Sequence, residues 1–332
     1  MPPGVLIRRR TWPHLNTPRC QPHLAFRGTN DIGPIYQEMT TLADLSLEII
    51  DRILFALDPL DIARISQTSS FFHEVIYGPL NRQFWRGLYL AQPLDDPRRT
   101  VTRLGRRRDD TDWKGELQRI TRARTVLKHP AVCRREERCQ VLRTCIDLIT
   151  NVLPISSPDG VGETSRNVRW MQHLIGDGAF LERDSWKALS EEEEQLLSRL
   201  HALYGFTRKD LYPERRRASQ AFVYSLRHHT AQRAYGPFMP DGSRRVDWVF
   251  ILMLAHDLGM LLVDIDAEDE ECSYFCPLGL LFCQSIIPRG LDLHKEADWA
   301  GAEGLWSVRY GFMDHREFIR KFYSLSSHHM GC

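Results

Sequence analysis

The residues best suited to chemistry are His256 and Asp257, which stand side by side in the most hydrophobic stretch of the chain. Imidazole and carboxylate groups bind divalent metals, and a metal held in this way can activate water for hydrolysis. Other histidines and acids before and after the pair could complete a ligand set. These further candidates are His228, His229, Asp264 and Asp314. Metal-dependent hydrolysis is therefore one chemistry to consider.

The sequence L-A-H-D-L-G at residues 254–259 resembles the His-Asp core of HD-type metal phosphohydrolases. The resemblance implies one or two metals surrounded by further His and Asp residues, with carboxylates orienting the imidazoles. No further histidine of convincing spacing lies between Asp257 and the later acids. A phosphohydrolase centred on His256 and Asp257 is thus the alternative, and our first prediction is a chain without catalytic residues.

Cysteines and acids near the C-terminus fit metal sites poorly. Structural zinc sites favour cysteine pairs two residues apart, and the gaps here are longer. The acids that begin like a calcium loop lack the glycine and the terminal glutamate. The residues considered are Cys272, Cys276, Cys283 and His294 for zinc, and Asp264, Asp266, Glu268, Asp269 and Phe275 for calcium. The sequence therefore predicts no metal and no cofactor.

Composition narrows the class of protein. The chain has 332 residues, 42% hydrophobic and 26% charged, which is ordinary for a soluble protein of two or more domains. A formal net charge of +1 gives no general attraction to nucleic acid or lipid, so neither is predicted as a partner. Eight cysteines spread over so long a chain favour a reducing, intracellular setting, cytoplasmic or nuclear.

Four regions differ in composition. Residues 1–40 are rich in proline and arginine and predict a flexible basic tail, and residues 93–112 predict a charged, solvated linker. Residues 113–332 carry helical spacing as far as about Val263, including a Ser190–Glu193 capping-box signal. The alternation of residues 305–312 predicts a short β element near the C-terminus.

Residues 41–92 are the most informative part of the chain. The predicted helix from Asp44 to Leu57 is apolar on more than one face, which is typical of a helix deep inside a core. A module of roughly fifty residues is too small to bury so much apolar surface by itself. We therefore expect one face of this module to be left for a partner.

Three more helices are predicted in the same region. Asp58 can cap the second helix, with Pro59 at its first position. Thr68 or Ser69 can cap the third, and Pro79 can open the fourth. Three to four short helices in fifty residues form a compact docking module.

The sequence L-x-x-E-I-I-x-x-I-L-x-x-L-D-P-L-D-I-A-R-I-S-Q-T-S, followed by two phenylalanines, resembles an F-box. The resemblance implies docking to the Skp-type adaptor of an SCF cullin–RING ubiquitin ligase, while the rest of the chain recruits a protein substrate. The residues it implies as adaptor-facing or as F-box core are Leu45, Ile49, Ile53, Leu54, Leu57, Pro59, Leu60, Ile62, Ile65, Phe71 and Phe72. Ser46 stands where the family usually has proline, and it can cap the first helix instead.

A second likeness supports the first. The sequence W-A-G-A-E-G-L-W at residues 299–306, followed by D-H-R-E-F, is similar to an element found in a group of fungal F-box proteins. The predicted fold class is therefore mainly α, with an N-terminal F-box module of three to four helices, a helical region and a short C-terminal β element. The predicted function is that of a non-catalytic substrate receptor of a ubiquitin ligase.

Overall fold

The computed structural model describes most of the chain from Leu42 to Glu268 and three residues beyond it. In the last helix the side chains are described as far as Met260. The described residues are 42–78, 81–102, 107, 110–154, 164–182, 185–186, 188–268, 279–280 and 284. The chain divides into two compact units after Asp44, and every α-helix belongs to the second unit, Leu45–Cys332.

The described residues form ten α-helices and no strand of more than an isolated bridge. The mainly helical fold class is therefore confirmed for this part of the chain, whereas the predicted β element at residues 305–312 lies outside it. The helices are α1 (Leu47–Phe55), α2 (Pro59–Ile65), α3 (Ser70–Tyr77), α4 (Arg82–Leu90), α5 (Trp113–Lys128), α6 (Arg138–Thr150), α7 (Arg166–Ile175), α8 (Glu191–Tyr204), α9 (Pro213–Val223) and α10 (Trp248–Glu268).

Local sequence signals set several helix starts. The Asp58 carboxylate accepts the Leu60 N–H at 2.9 Å, and the Ser69 hydroxyl accepts the Phe72 N–H at 3.3 Å. Each bond satisfies a backbone donor that the first turn of a helix leaves without a partner. The capping box at α8 is also present, with both of its reciprocal bonds formed. These three predictions are confirmed.

Two other starts differ from prediction. Ser46 occupies the position before α1, but its side chain makes no capping hydrogen bond to the helix backbone. The fourth helix begins at Arg82 after Asn81, and Pro79, predicted to open it, lies outside the described residues. A proline favours the start of a helix only through its own fixed φ angle and its missing N–H. These local preferences do not by themselves determine at which residue the helix begins.

One continuous core runs through α1 to α8. It includes Ile50 of α1, Leu88 of α4, Leu142 of α6 and Leu200 of α8, all within a single cluster of buried residues. Packing proceeds from α4 to α5, from α5 to α6 and from α6 to α8, and α10 packs against α8 and α9. The N-terminal helices therefore share their core with the helical region behind them.

The predicted linker at 93–112 is exposed at some described residues, including Arg98 and Arg99, and buried at others. Leu94, Asp95 and Thr100 are buried. The Asp95 carboxylate accepts the Ser165 hydroxyl at 2.5 Å and the Arg166 N–H at 2.8 Å. Composition did not reveal the burial of Asp95, because its partners lie about seventy residues further along the chain.

α10 covers the stretch that the sequence predicted to be a buried helix. It extends to Glu268, and Leu258 on it is exposed while His256 and Asp257 are buried. Among the described residues, no helix combines the length and the apolar character needed to cross a membrane.

Candidate partner-binding surface

α1 presents two apolar faces with different surroundings. Ile50 and Leu54 are 1% exposed and belong to the core. Ile49 and Ile53 are 44% and 36% exposed. Residues four apart lie on the same face of a helix, so each pair defines one face. The second apolar face predicted from the sequence is therefore present and is exposed to solvent.

The eleven residues named from the sequence fall into three groups by exposure. Two are buried in the core, namely Leu54 and Ile62. Four are half-buried, namely Leu57, Pro59, Ile65 and Phe72. Five are exposed to between 36% and 44%, namely Leu45, Ile49, Ile53, Leu60 and Phe71. Sequence reasoning missed Leu47, the most exposed apolar side chain of α1. We call the five exposed residues the apolar face.

The apolar face is exposed because α4 already fills the opposite side of these helices. Phe55 stacks on Phe84, with ring centroids 5.5 Å apart. Gly87 allows the close approach, since a Cβ at this position would lie 2.5 Å from the Phe55 ring. The Trp85 indole N–H donates to the Ile76 carbonyl at 3.0 Å, which anchors α3 to α4. The core side of the module is thus complete.

Charged groups lie among and beside these apolar residues. The pKa of Glu48 is lowered by its own backbone N–H and by the Ser46 hydroxyl. Burial, and then the charge of Glu48, raises the pKa of Asp51. The pKa of Asp58 is lowered chiefly by the hydrogen bond from Arg124. An apolar centre with ionised groups around it is the usual arrangement of a protein-binding surface.

The His256 region has a different geometry from a metal centre. Its Nδ1 lies 2.8 Å from the Ser219 hydroxyl and its Nε2 lies 2.9 Å from the Asp210 carbonyl oxygen. A histidine that binds a metal needs one ring nitrogen for the ion, with the other held by a hydrogen bond. Both nitrogens of His256 are engaged by protein atoms, and Asp257 also has interactions of its own.

The upstream histidines are not brought to His256 as metal ligands. His228 stacks on Phe222 with centroids 4.0 Å apart, and His229 Nε2 lies 3.0 Å from the Val223 carbonyl oxygen. Burial is the main cause that lowers the pKa of His228. In the part of the chain that the structure describes, no three His, Cys, Asp or Glu side chains are grouped so as to hold a metal ion. Asp314 and the four zinc candidates lie outside it, as do the side chains of the calcium candidates.

A buried histidine–aspartate pair escaped sequence reasoning. His201 Nε2 lies 2.9 Å from Asp210 Oδ2, and both side chains are about 5% exposed. The same oxygen accepts the N–H and the hydroxyl of Thr207. No sequence signal marks this pair, because the two residues belong to α8 and to the turn after it, and neither sits in a recognisable motif.

Comparison with known proteins provides no relative for this chain. No family model matches it, and neither the curated proteins nor the solved structures contain a significant match. The apolar face and its surroundings are therefore interpreted from residues and geometry.

Proposed function

We propose that this chain is a substrate-receptor subunit of an SCF-type cullin–RING ubiquitin ligase. Its apolar face on α1 to α3 docks a Skp-type adaptor, and through the adaptor the cullin and RING subunits. Residues 113–332 recruit a protein substrate, and the chain contributes no catalytic residue. We place this activity inside the cell, in the cytoplasm or the nucleus.

One observation carries the proposal. In the segment whose sequence resembles an F-box, five large apolar side chains are exposed to solvent, while other apolar residues of the same helices are buried in the core. The exposed side chains coincide with about half of the residues that the resemblance marks as adaptor-facing or core. Several large apolar side chains exposed within one short segment are typical of a surface that contacts another protein.

The size of the apolar face suits a stable interface. Fully burying a Leu, Ile or Phe side chain contributes about 1.5–3 kcal/mol. The five side chains of the face are already partly covered, so each contributes a fraction of that value. Together they offset several of the costs of ordering and of lost translational freedom on association.

Co-expression with an adaptor tests the proposal. A tagged Skp-type adaptor is co-expressed with the untagged chain, and co-elution at one-to-one stoichiometry is expected. Ile53→Asp should abolish co-elution, because the complex would bury a charge without a partner. Ile53 is a better position than Leu57, which also packs against the core and whose replacement would unfold the module.

The matched control is Leu226→Asp, which introduces the same charge at an exposed leucine far along the chain from α1. It should co-elute like the natural sequence. Circular dichroism and thermal melting of both variants verify that they are folded. Equal co-elution of a folded Ile53→Asp variant, or no co-elution of the natural chain, would contradict the proposal.

A further inference from the structure

A groove lies between α8 and the segment that leads into α10. Its volume is about 670 Å³. Apolar side chains line much of it, and acidic residues of the first turn of α8 contribute to the lining. The lining residues used below are Glu191, Leu196, Met239, Val246 and Trp248. A groove of this size and character can hold part of an extended peptide.

One side of the groove has an open β edge. Phe238 and Val246 form an antiparallel bridge, flanked on each side by a backbone hydrogen bond of 2.8 Å. That pattern makes them a non-hydrogen-bonded pair, so the N–H and C=O of Val246 point away from the hairpin. No described residue forms a hydrogen bond with either group. Val246 therefore presents a donor and an acceptor beside the groove.

The hairpin that carries Val246 is rigid at its tip. Asp241 accepts the Ser243 N–H at 2.9 Å and an Arg245 side-chain N–H at 2.7 Å. Gly242 has φ +75°, a left-handed conformation that glycine adopts without strain. These contacts stabilise the turn that precedes Val246, although Arg244 in the same turn also has a positive φ, of 57°.

The base of the hairpin is clamped to α8. The Gln195 amide donates to Asp247 at 2.9 Å, and its oxygen accepts the Trp248 N–H at 2.6 Å. The Arg233 guanidinium also donates to Asp247, at 2.6 Å. The two walls of the groove are thus held at a fixed separation, which lowers the cost of binding.

Most charged side chains that line the groove already have partners. Glu192 is paired with Arg143, and Arg245 is paired with Asp241. Arg199 lies over the Trp248 ring, 5.0 Å from its centroid, and has further interactions of its own. These three residues therefore leave little free charge for a ligand.

Glu191 is the lining charge that can select among peptides. It is exposed, and its charge contributes, after Asp241, to raising the pKa of Arg245, which also lines the groove. A carboxylate at the start of α8 favours a basic side chain over an acidic one at this end of the groove and disfavours a nucleic acid.

We propose that this groove binds an extended segment of a partner protein, which adds a strand beside Val246. Alternate apolar side chains of the segment contact Leu196, Met239 and Trp248, and a lysine or arginine lies near Glu191. Main-chain hydrogen bonds supply affinity and the side-chain contacts supply specificity, as in other β-augmentation sites. If the chain is a ligase receptor, this segment belongs to the substrate. Only this identification of the partner as the substrate rests on the proposed function.

Fluorescence anisotropy with labelled peptides on the full chain tests the groove. The probes are an eight-residue peptide of alternating lysine and valine, its glutamate–valine counterpart, and a lysine–valine peptide with N-methylated valines. The first should bind about tenfold more tightly than the N-methylated peptide, since one tenfold step corresponds to the loss of one or two net hydrogen bonds. It should also bind more tightly than the glutamate–valine peptide, whose charge is repelled by Glu191. Hydrogen exchange at the Val246 amide should slow when the first peptide is added.

Variants of the chain locate the binding. Leu196→Glu should weaken binding of the lysine–valine peptide at least about tenfold by placing a charge against its apolar side chains. Because Leu196 also packs against the core, Leu196→Ala is made beside it and should weaken binding in the same direction, and circular dichroism verifies that both variants are folded. Leu226→Glu is the matched control outside the groove and should leave binding unchanged. Glu191→Gln should reduce the preference for lysine over glutamate.

Three results would overturn the proposal. They are equal binding of the N-methylated peptide, full binding by a folded Leu196→Glu variant, and a dimer of the chain that Leu196→Glu dissociates while no peptide binds. The last result would assign the groove to a second copy of the chain. Adaptor co-elution does not use this groove, so failure of either proposal leaves the other standing.

Discussion

At the scale of single residues, Asp210 is a buried carboxylate whose pKa lies well below its ordinary value. Burial raises its pKa, but hydrogen bonds from His201 and Thr207 and the charge of His201 outweigh burial and lower the pKa to about 2. The ordinary value is 3.8. A carboxylate that is more acidic in the folded state stabilises the fold above its unfolded pKa.

We predict an acid-dependent loss of stability from this residue. The contribution of Asp210 should be complete above about pH 4 and should fade as the pH falls towards 2, with a full size of about 2 kcal/mol. Urea unfolding at pH 7, 5, 4 and 3 measures it. Asp210→Asn should remove this part of the pH dependence, and parallel curves for variant and natural chain would contradict the assignment.

At the scale of elements, the start of α2 joins two parts of the molecule. Asp58 caps α2 through the Leu60 N–H and also accepts Arg124 Nη2 of α5 at 2.7 Å. The first contact is local and was predicted from the sequence Asp58-Pro59. The second joins residues that are 66 positions apart in the sequence, and no local sequence pattern predicts it.

Asp58→Ala should therefore cost about 1–2 kcal/mol of unfolding free energy, the usual range for losing an N-cap, with the ion pair adding a fraction of a kcal/mol. Asp58→Asn keeps the cap and removes only the charge, so it should cost much less. Arg124→Ala alone and combined with Asp58→Asn completes a double-mutant cycle. Equal losses in Asp58→Ala and Asp58→Asn would show that the ion pair dominates.

This contrast explains how much the sequence could predict. Helix caps, the mainly helical fold and the two apolar faces of α1 depend on residues within four positions, so spacing reveals them. The burial of Asp95, the His201–Asp210 pair and the groove beside Val246 depend on contacts between distant elements. The turn P-D-G-S at residues 240–243 is a local signal that could have revealed the hairpin, but only folding brings it to α8.

At the scale of the whole molecule, the shared core has a thermodynamic consequence. Buried residues of α1, α4, α6 and α8 form one cluster. Asp95 ties the segment after α4 to the start of α7 through the Ser165 hydroxyl and the Arg166 N–H. The N-terminal helices should therefore not unfold independently of the helices behind them.

We predict a single unfolding transition for the folded helices, with coincident midpoints by circular dichroism and by tryptophan fluorescence. Asp95→Ala should lower both midpoints together and reduce the free energy of unfolding by about 1–3 kcal/mol, because it leaves buried donors without acceptors. Ser185→Ala, at a residue whose hydroxyl bond is exposed, is the control. Two separated transitions, with the N-terminal helices melting first, would contradict a shared core.

The Ser219 hydroxyl carries one proton but has two neighbours able to accept it. The Arg216 carbonyl oxygen lies 2.9 Å away and His256 Nδ1 lies 2.8 Å away, while His256 Nε2 already faces a carbonyl. As a donor, the hydroxyl can serve only one of these two acceptors at a time. The ring of His256 therefore joins three segments that are separate in the sequence, namely α10, α9 through Ser219, and the turn before α9 through Asp210.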